Sequence, residues 1–160
     1  MSIRTATAAD LPAIAALERA CFPPAEAASE ASLAARLASF PECFYLLEER
    51  GTLCAMLNGL RTDMPDLLDR MYDDAGMHRP SGAWQMIFGV DTAPACRRQG
   101  CASRLLRHAI SRARQDGCRG VVLTCKSPLL AFYAAFGFLD EGFRGSEHGG
   151  VRWHQMRLRF

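Results

Sequence analysis

The segment Arg97-Arg98-Gln99-Gly100-Cys101-Ala102-Ser103 stands between a strand-like run and the most regular helical pattern in the chain. Before it, Ala83 to Asp91 (AWQMIFGVD) is apolar and rich in aromatic and β-branched residues, the composition of a buried strand. After it, Ala102, Leu105, Leu106, Ala109, Ile110 and Ala113 fall on one face of a helix, with Arg104, Arg107, Arg112 and Arg114 on the other side. Gly117 suits the C′ position that ends this helix, and Gly120 to Cys125 (GVVLTC) reads as the next buried strand. Strand, helix and strand in this order form a right-handed parallel unit. The chain is therefore committed to an α/β fold.

The turn itself carries chemistry. A glycine-bearing turn that opens a helix exposes unpaired N–H groups, and small residues let phosphate oxygens approach them. Arg97 and Arg98 add positive charge at the same point, so the physical reading is a pyrophosphate cradle. Neither Gly-x-Gly-x-x-Gly nor Gly-x-x-x-x-Gly-Lys-Ser/Thr is present, which removes the motifs of dinucleotide and P-loop sites. Arg97-x-x-Gly100-x-Ala102 fits a different pattern, Gln/Arg-x-x-Gly-x-Gly/Ala.

The remainder of the chain supplies the other elements. Ile3 to Ala6 predicts a first strand, and Thr7 with Asp10 predicts a capping box for a helix reaching Cys21. Phe22-Pro23-Pro24 stops that helix. Ser29 is the expected N-cap of a second, running to Ser39. The loop between them, FPPAEAA, holds the isolated carboxylate Glu26. Cys43 to Glu49 and Leu53 to Leu60 predict a hairpin turning at Arg50-Gly51. Residues 61 to 82 form a long insert, with a short helix expected from Met64 to Tyr72 under an Asp63 cap. Leu129 to Phe136 predicts a short helix ended by Gly137. Phe138 to Gly142 and Val151 to Phe160 predict two final strands across a glycine-rich hairpin, Gly145 to Gly150.

With 160 residues the chain is expected to be one domain spanning 1–160. A net charge of +2 gives no general argument for nucleic acid or membrane, and neither is expected as a partner. No long apolar span or signal-peptide pattern is present, so a cytoplasmic location is expected. The seven cysteines show no C-x-x-C spacing; they read as free thiols, and no metal site is expected.

Two motifs in register, the Arg97–Ser103 turn and Phe132-Tyr133-x-x-Phe136-Gly137-Phe138, resemble those of the GNAT superfamily of N-acetyltransferases. The second resembles the Tyr-x-x-x-Gly-Phe element of that family, and the predicted element order matches its fold along the whole chain. FPPAEAAS, AWQMIFGVD and LTCKSPLLAFYAAFGF resemble its arylalkylamine (serotonin) N-acetyltransferase branch in particular. The resemblance implies the GNAT fold, a mixed and mostly antiparallel sheet with a central splayed parallel strand pair, flanked by helices. It implies acetyl-CoA as cosubstrate, with the diphosphate on the N–H groups of Arg98, Gln99, Gly100, Cys101, Ala102 and Ser103 beside Arg97. It also places the pantetheine arm along Phe88, Gly89 and Val90.

The same resemblance implies that Tyr133 protonates the leaving thiolate, for which a phenol of pKa about 10 is protonated at neutral pH. Vertebrate members of the branch carry two histidines on the central strand. Trp84 and Met86 stand there instead and carry no protons. Glu26 is then the expected base, as a glutamate in this loop is in some insect enzymes. Cys101 and Cys125 read as small apolar fillers without an activating histidine, so direct transfer in a ternary complex is expected. His78, His108, His148 and His154 lack partner spacing that marks a site. Asp91 reads as a strand-end residue. The aspartates of the insert are expected to border the substrate side.

A small primary amine is the expected acceptor, and the protein a monomer or homodimer. A protein or peptide acetyltransferase, acting on an N-terminus or lysine, and a non-catalytic acyl-CoA sensor are the alternatives. Lys126-Ser127-Pro128 stands where ribosomal-protein N-terminal enzymes often carry Asn, which weighs against the first of these.

Overall fold

The computed structural model describes residues 1–144 and 152–160. The expected hairpin at Gly145 to Gly150, with His148, lies outside the described residues. In chain order the elements are β1 (Ser2–Thr5), α1 (Leu11–Cys21), α2 (Glu30–Ser39), β2 (Phe44–Glu49), β3 (Thr52–Asn58), β4 (Arg61–Thr62) and α3 (Arg70–Asp73). They continue with β5 (Trp84–Ile87), β6 (Gly89–Thr92), α4 (Cys101–Gln115), β7 (Gly120–Cys125), α5 (Leu130–Ala134), β8 (Leu139–Phe143) and β9 (His154–Arg159).

Local signals in the sequence account for most boundaries. The Thr7 N–H donates to Asp10 Oδ2 at 2.8 Å, closing the capping box ahead of α1. Ser29 Oγ accepts from the Ser32 N–H at 3.1 Å and caps α2. Arg50 and Gly51 both take positive φ (50° and 76°), the geometry that joins β2 to β3 in a tight hairpin. At the end of α4 the Gly117 N–H bonds Arg114 O and the Cys118 N–H bonds Ala113 O, a Schellman pair around Gly117 at φ 84°.

The strands form two sheets, β1-β2-β3-β6 and β4-β5-β7-β9-β8. All pairings are antiparallel except β5 with β7, which α4 connects. In β2, Phe44 and Leu46 face Ile14, Leu17, Leu33 and Leu37 of α1 and α2. Tyr45 and Leu47 face the opposite way, onto Leu105, Leu106 and Ala109 of α4. The expected apolar face of α4 is the buried one, each leucine contributing about 2 kcal/mol. The insert and Phe40 cover the second sheet at Trp84, Met86 and Val122.

The single strand expected over Ala83–Asp91 is two. β5 ends at Ile87, paired with Leu123 of β7, whereas β6 begins at Gly89, paired with Asn58 of β3. Phe88 is the change-over point, and the chain switches sheets there. A second crossing, from β3 to β4, occurs at Gly59, where a Cβ would lie 1.8 Å from Met86 O. Only a residue without a side chain lets the two backbones pass this closely. The expected helix at Met64–Tyr72 is reduced to Arg70–Asp73. Asp63 does not cap it; its Oδ1 accepts the Ala83 N–H at 3.1 Å instead.

Candidate active site

Because the chain leaves β7 at Phe88 as β5 gives way to β6, a wedge opens between β6 and β7, and a cavity of about 370 Å³ occupies it. Gly89 and Val90 form one wall, and Thr124, Cys125 and Tyr133 the opposite one. The α1–α2 loop with Glu26 and the start of α2 close the third side.

β6 is the edge strand of its sheet, so its outer main-chain groups face the wedge. The Ala93 N–H donates to Cys54 O at 2.8 Å. Main-chain alternation along the ladder then turns the Val90 N–H away from β3, toward the wedge. The Phe88 N–H is already taken by Asn58 O at 2.8 Å. Of the three residues expected along the pantetheine arm, Val90 is thus the one that offers a donor. Gly89 serves packing, since a Cβ there would meet Asp91 Oδ1 at 3.2 Å.

The turn beyond β6 has the form of an anion nest. Arg98 and Gly100 take left-handed φ of 62° and 79°, on either side of Gln99, and α4 starts directly after. The first main-chain bond of the helix is Arg104 N–H to Gly100 O, 3.0 Å. Among the described residues no main-chain carbonyl takes an N–H from Arg98 to Ser103. Arg97 to Gly100 are exposed, and open space surrounds the Cα of Gly100. Arg97 Nε donates back to Thr92 O at 3.3 Å, which ties the turn to the end of β6. These residues fit a diphosphate: unpaired donors, positive charge and room for an oxygen.

Tyr133 is buried on α5 between Phe132 and Phe138. Burial raises its phenol, with smaller contributions from Cys125 and Asp91, so the hydroxyl holds its proton at neutral pH. No described residue bonds that hydroxyl. Cys125, beside it, is pushed up to about 11 by burial and lies against Met156, which leaves a thiol and not a nucleophilic thiolate.

Glu26 reaches the same cavity with a buried carboxylate, and Lys126 Nζ lies 2.7 Å from its Oε1. A buried pair of carboxyls, Glu18 and Asp91, adjoins it, which the sequence reading missed. Glu18 lines the cavity and accepts the Ala28 N–H at 2.8 Å. Asp91 is 1% exposed, and its carboxyl is raised well above the usual range, first by burial and then by contact with Glu18. Asp91 thus holds its proton well above the pH at which an exposed aspartate loses it. Asp91 is therefore an interior acid and not merely a strand-end residue.

This carries a pH prediction. A carboxyl raised on folding contributes stability that is complete below its unfolded value, about 4. The contribution is lost as pH rises through the folded value. Asp91→Asn keeps a donor for Glu18 and removes the titration, so its melting temperature should fall less than that of the parent between pH 5 and 8. Melting curves that run parallel in the two proteins across this range would refute the assignment.

The remaining candidates lie elsewhere. His78 accepts the Arg61 N–H at 3.1 Å and meets Glu42 at 2.7 Å, a structural role under the insert. His154 bridges Ser127 and Asp140, each at 3.1 Å. Of the insert's aspartates only Asp73 lines the cavity; Asp66 pairs with Arg157 at 2.9 Å and Asp74 caps Gly76. All seven cysteines are free. Among the described residues no His, Cys, Asp or Glu cluster could hold a metal, and no helix is long and apolar enough to cross a membrane.

Known proteins share this architecture. The GphF GNAT-like decarboxylase in complex with isobutyryl-CoA superposes with a TM-score of 0.88 at 24% identity, over 99% of each chain. The loading GNATL domain of CurA from Lyngbya majuscula gives 0.87 at 19% identity, over 99% of this chain and 96% of that one. The ribosomal-protein-S18-alanine N-acetyltransferase from Escherichia coli gives 0.74 at 20% identity, covering 99% and 92%. At such identities these likenesses speak to the fold. No curated protein sequence matches the chain significantly. The model of the acetyltransferase (GNAT) family matches residues 11–138, from the start of α1 to the end of the Tyr133 element. The chain belongs to that family, that of acyl-CoA-dependent acetyltransferases.

Proposed function

We propose that the protein transfers the acetyl group of acetyl-CoA to the primary amine of a small molecule, by direct attack in a ternary complex. The observation that carries this reading is the wedge at Phe88. It places an outward N–H (Val90), a protonated phenol (Tyr133) and a buried carboxylate (Glu26) around one cavity, with an anion nest at the far end of β6. The diphosphate rests on the Arg98–Ser103 donors and the pantetheine arm extends along β6 as an added strand would. The thioester carbonyl then sits in the wedge, where the Val90 N–H stabilises the oxyanion. The amine loses its proton to Glu26, directly or through water. Its nitrogen bonds the carbonyl carbon, and the C–S bond breaks as Tyr133 donates to the departing thiolate. The second proton on the nitrogen leaves as the amide forms and returns, directly or through water, to the Tyr133 phenolate.

An arylalkylamine acceptor rests on the loop and strand motifs alone and draws no support from the structural neighbours. A thiol-release assay tests the reading, with acetyl-CoA and isobutyryl-CoA against arylalkylamines, polyamines, aminoglycosides and peptides. Turnover with acetyl-CoA on a small amine is expected. Activity on peptides alone would replace this reading with a protein acetyltransferase. Glu26→Gln should depress the rate most at low pH, where an amine of pKa about 10 is most fully protonated, and least as pH approaches that value. An equal loss at every pH would make Glu26 a positioning group.

A further inference from the structure

Arg36, on α2, faces the cavity and has no task in the scheme above. It is 5% exposed, and its guanidinium lies over the Phe88 ring at 4.8 Å. Nη1 donates to Asn58 Oδ1 at 3.1 Å and Nη2 to the Tyr72 carbonyl at 3.0 Å. Both acceptors are neutral, and Nε is buried with no acceptor. A guanidinium offers five N–H donors and does not shed its proton, so most of this donor set stays unanswered, and its charge meets the Phe88 ring and distant carboxylates without an ion pair.

The other buried arginines show what the fold does elsewhere. Arg61 meets Asp116 at 2.8 Å. Arg157 meets Asp66 at 2.9 Å and Glu141 at 3.0 Å. Arg36 alone of the three takes no carboxylate partner among the described residues. Glu18, Asp73 and Asp91 act on it only at longer range, and none forms an ion pair with it. A buried cation held by neutral groups at the wall of a substrate cavity is poised for an anion, and its planar fork matches a carboxylate.

We propose that Arg36 receives the carboxylate of a zwitterionic acceptor, an amino acid whose α-ammonium group lies toward Glu26 and Glu18. The proposal rests on the acetyl-transfer reading. In the reaction the new N–C bond forms at the amine, the C–S bond breaks, and the carboxylate is a spectator that fixes the amine's position. The cavity's charges match such a ligand: Glu18 on α1 and Glu26, with its Lys126 partner, in the following loop on one side, and on α2 a guanidinium without an ion pair. A carboxylate could also arrive on the acyl group, and the test separates the two sources.

The experiment compares kcat/KM for pairs that differ only in the carboxylate, phenylalanine with phenethylamine and tryptophan with tryptamine, using acetyl-CoA. A parallel arm compares malonyl-CoA with acetyl-CoA. The parent protein should favour the amino acid by roughly a hundredfold, the scale expected when a buried charged donor loses its partner. Arg36→Gln should collapse that ratio, mainly through KM, and Arg36→Lys should restore part of it. Equal use of amine and amino acid, or a preference that survives Arg36→Gln, overturns the proposal while the acetyl-transfer reading stands. A preference confined to malonyl-CoA overturns the zwitterionic acceptor and puts the carboxylate on the acyl group. Should Arg36→Gln not fold, thermal shift of the parent protein with CoA decides: the amino acid should raise the melting temperature and its amine should not. That shift with no turnover on any acceptor would uphold Arg36 and defeat the acetyl-transfer reading.

Discussion

Tyr133→Phe should lower kcat by about a hundredfold or more, the scale of a lost general acid, with little change in acetyl-CoA affinity. The ring packs edge-on against Phe132 and Phe138 at 5.0 and 6.0 Å, contacts that phenylalanine keeps. No described residue bonds the hydroxyl, so its removal leaves no partner unsatisfied and the melting temperature should barely move. What is lost is a proton. A thiol has a pKa of about 8.5 and a free phenol about 10, and burial raises Tyr133 further, so full transfer to a free thiolate runs uphill. The phenol therefore acts while the C–S bond is breaking, by donating to the sulfur as its charge develops. Wild-type turnover in the variant would pass the role to another donor, and Tyr72 is the nearest in kind. It lines the same cavity, is pushed up to about 12 by burial, and meets Thr124 Oγ1 at 3.0 Å.

The sequence made the local structure legible wherever a local interaction decides it. The α4 face, the Gly117 termination, the Thr7–Asp10 box and the Arg50-Gly51 turn depend on residues within a few positions of one another. The strand switch at Phe88 does not. Its run is apolar on both sides of the break, and what splits it is the approach of a distant backbone at Gly59. The insert failed as a helix for a related reason. The Leu67 N–H is taken by Gln155 Oε1 at 3.1 Å and Asp63 is drawn to Ala83, both from outside the segment.

The site divides the same way. Tyr133, Glu26 and the turn belong to contiguous motifs, and the structure brings Tyr133 and Glu26 to one cavity. Glu18 and Arg36 sit on helices whose polar residues ordinarily face solvent, and nothing in their spacing marks them as buried. Their burial follows from the packing of α1 on β6 and of α2 against α1 and the insert. Asp91 looked like a strand end because the break three residues before it was invisible.

Gly100→Val should abolish measurable acetyl-CoA binding, a loss of about a hundredfold or more in affinity, while the protein stays folded. At φ 79° a β-branched residue is strained, at about 1–3 kcal/mol. Among the described residues, chain neighbours aside, no atom lies within 4 Å of the added Cβ, so strain is the main cost to the fold. The branches of valine would instead fill the space through which a phosphate oxygen reaches the Cys101 and Ala102 N–H groups. Gly51→Val separates the two effects. Gly51 has φ 76° and equally open surroundings, but it lies in the β2–β3 turn. Both variants should lose similar melting temperature, and only Gly100→Val should lose acetyl-CoA by calorimetry. Equal affinity in the two would remove the diphosphate from this turn. A loss specific to Gly100 in acetyl-CoA, with none for the shorter donor N-acetylcysteamine thioester, would locate the defect at the diphosphate and not at the thioester in the wedge.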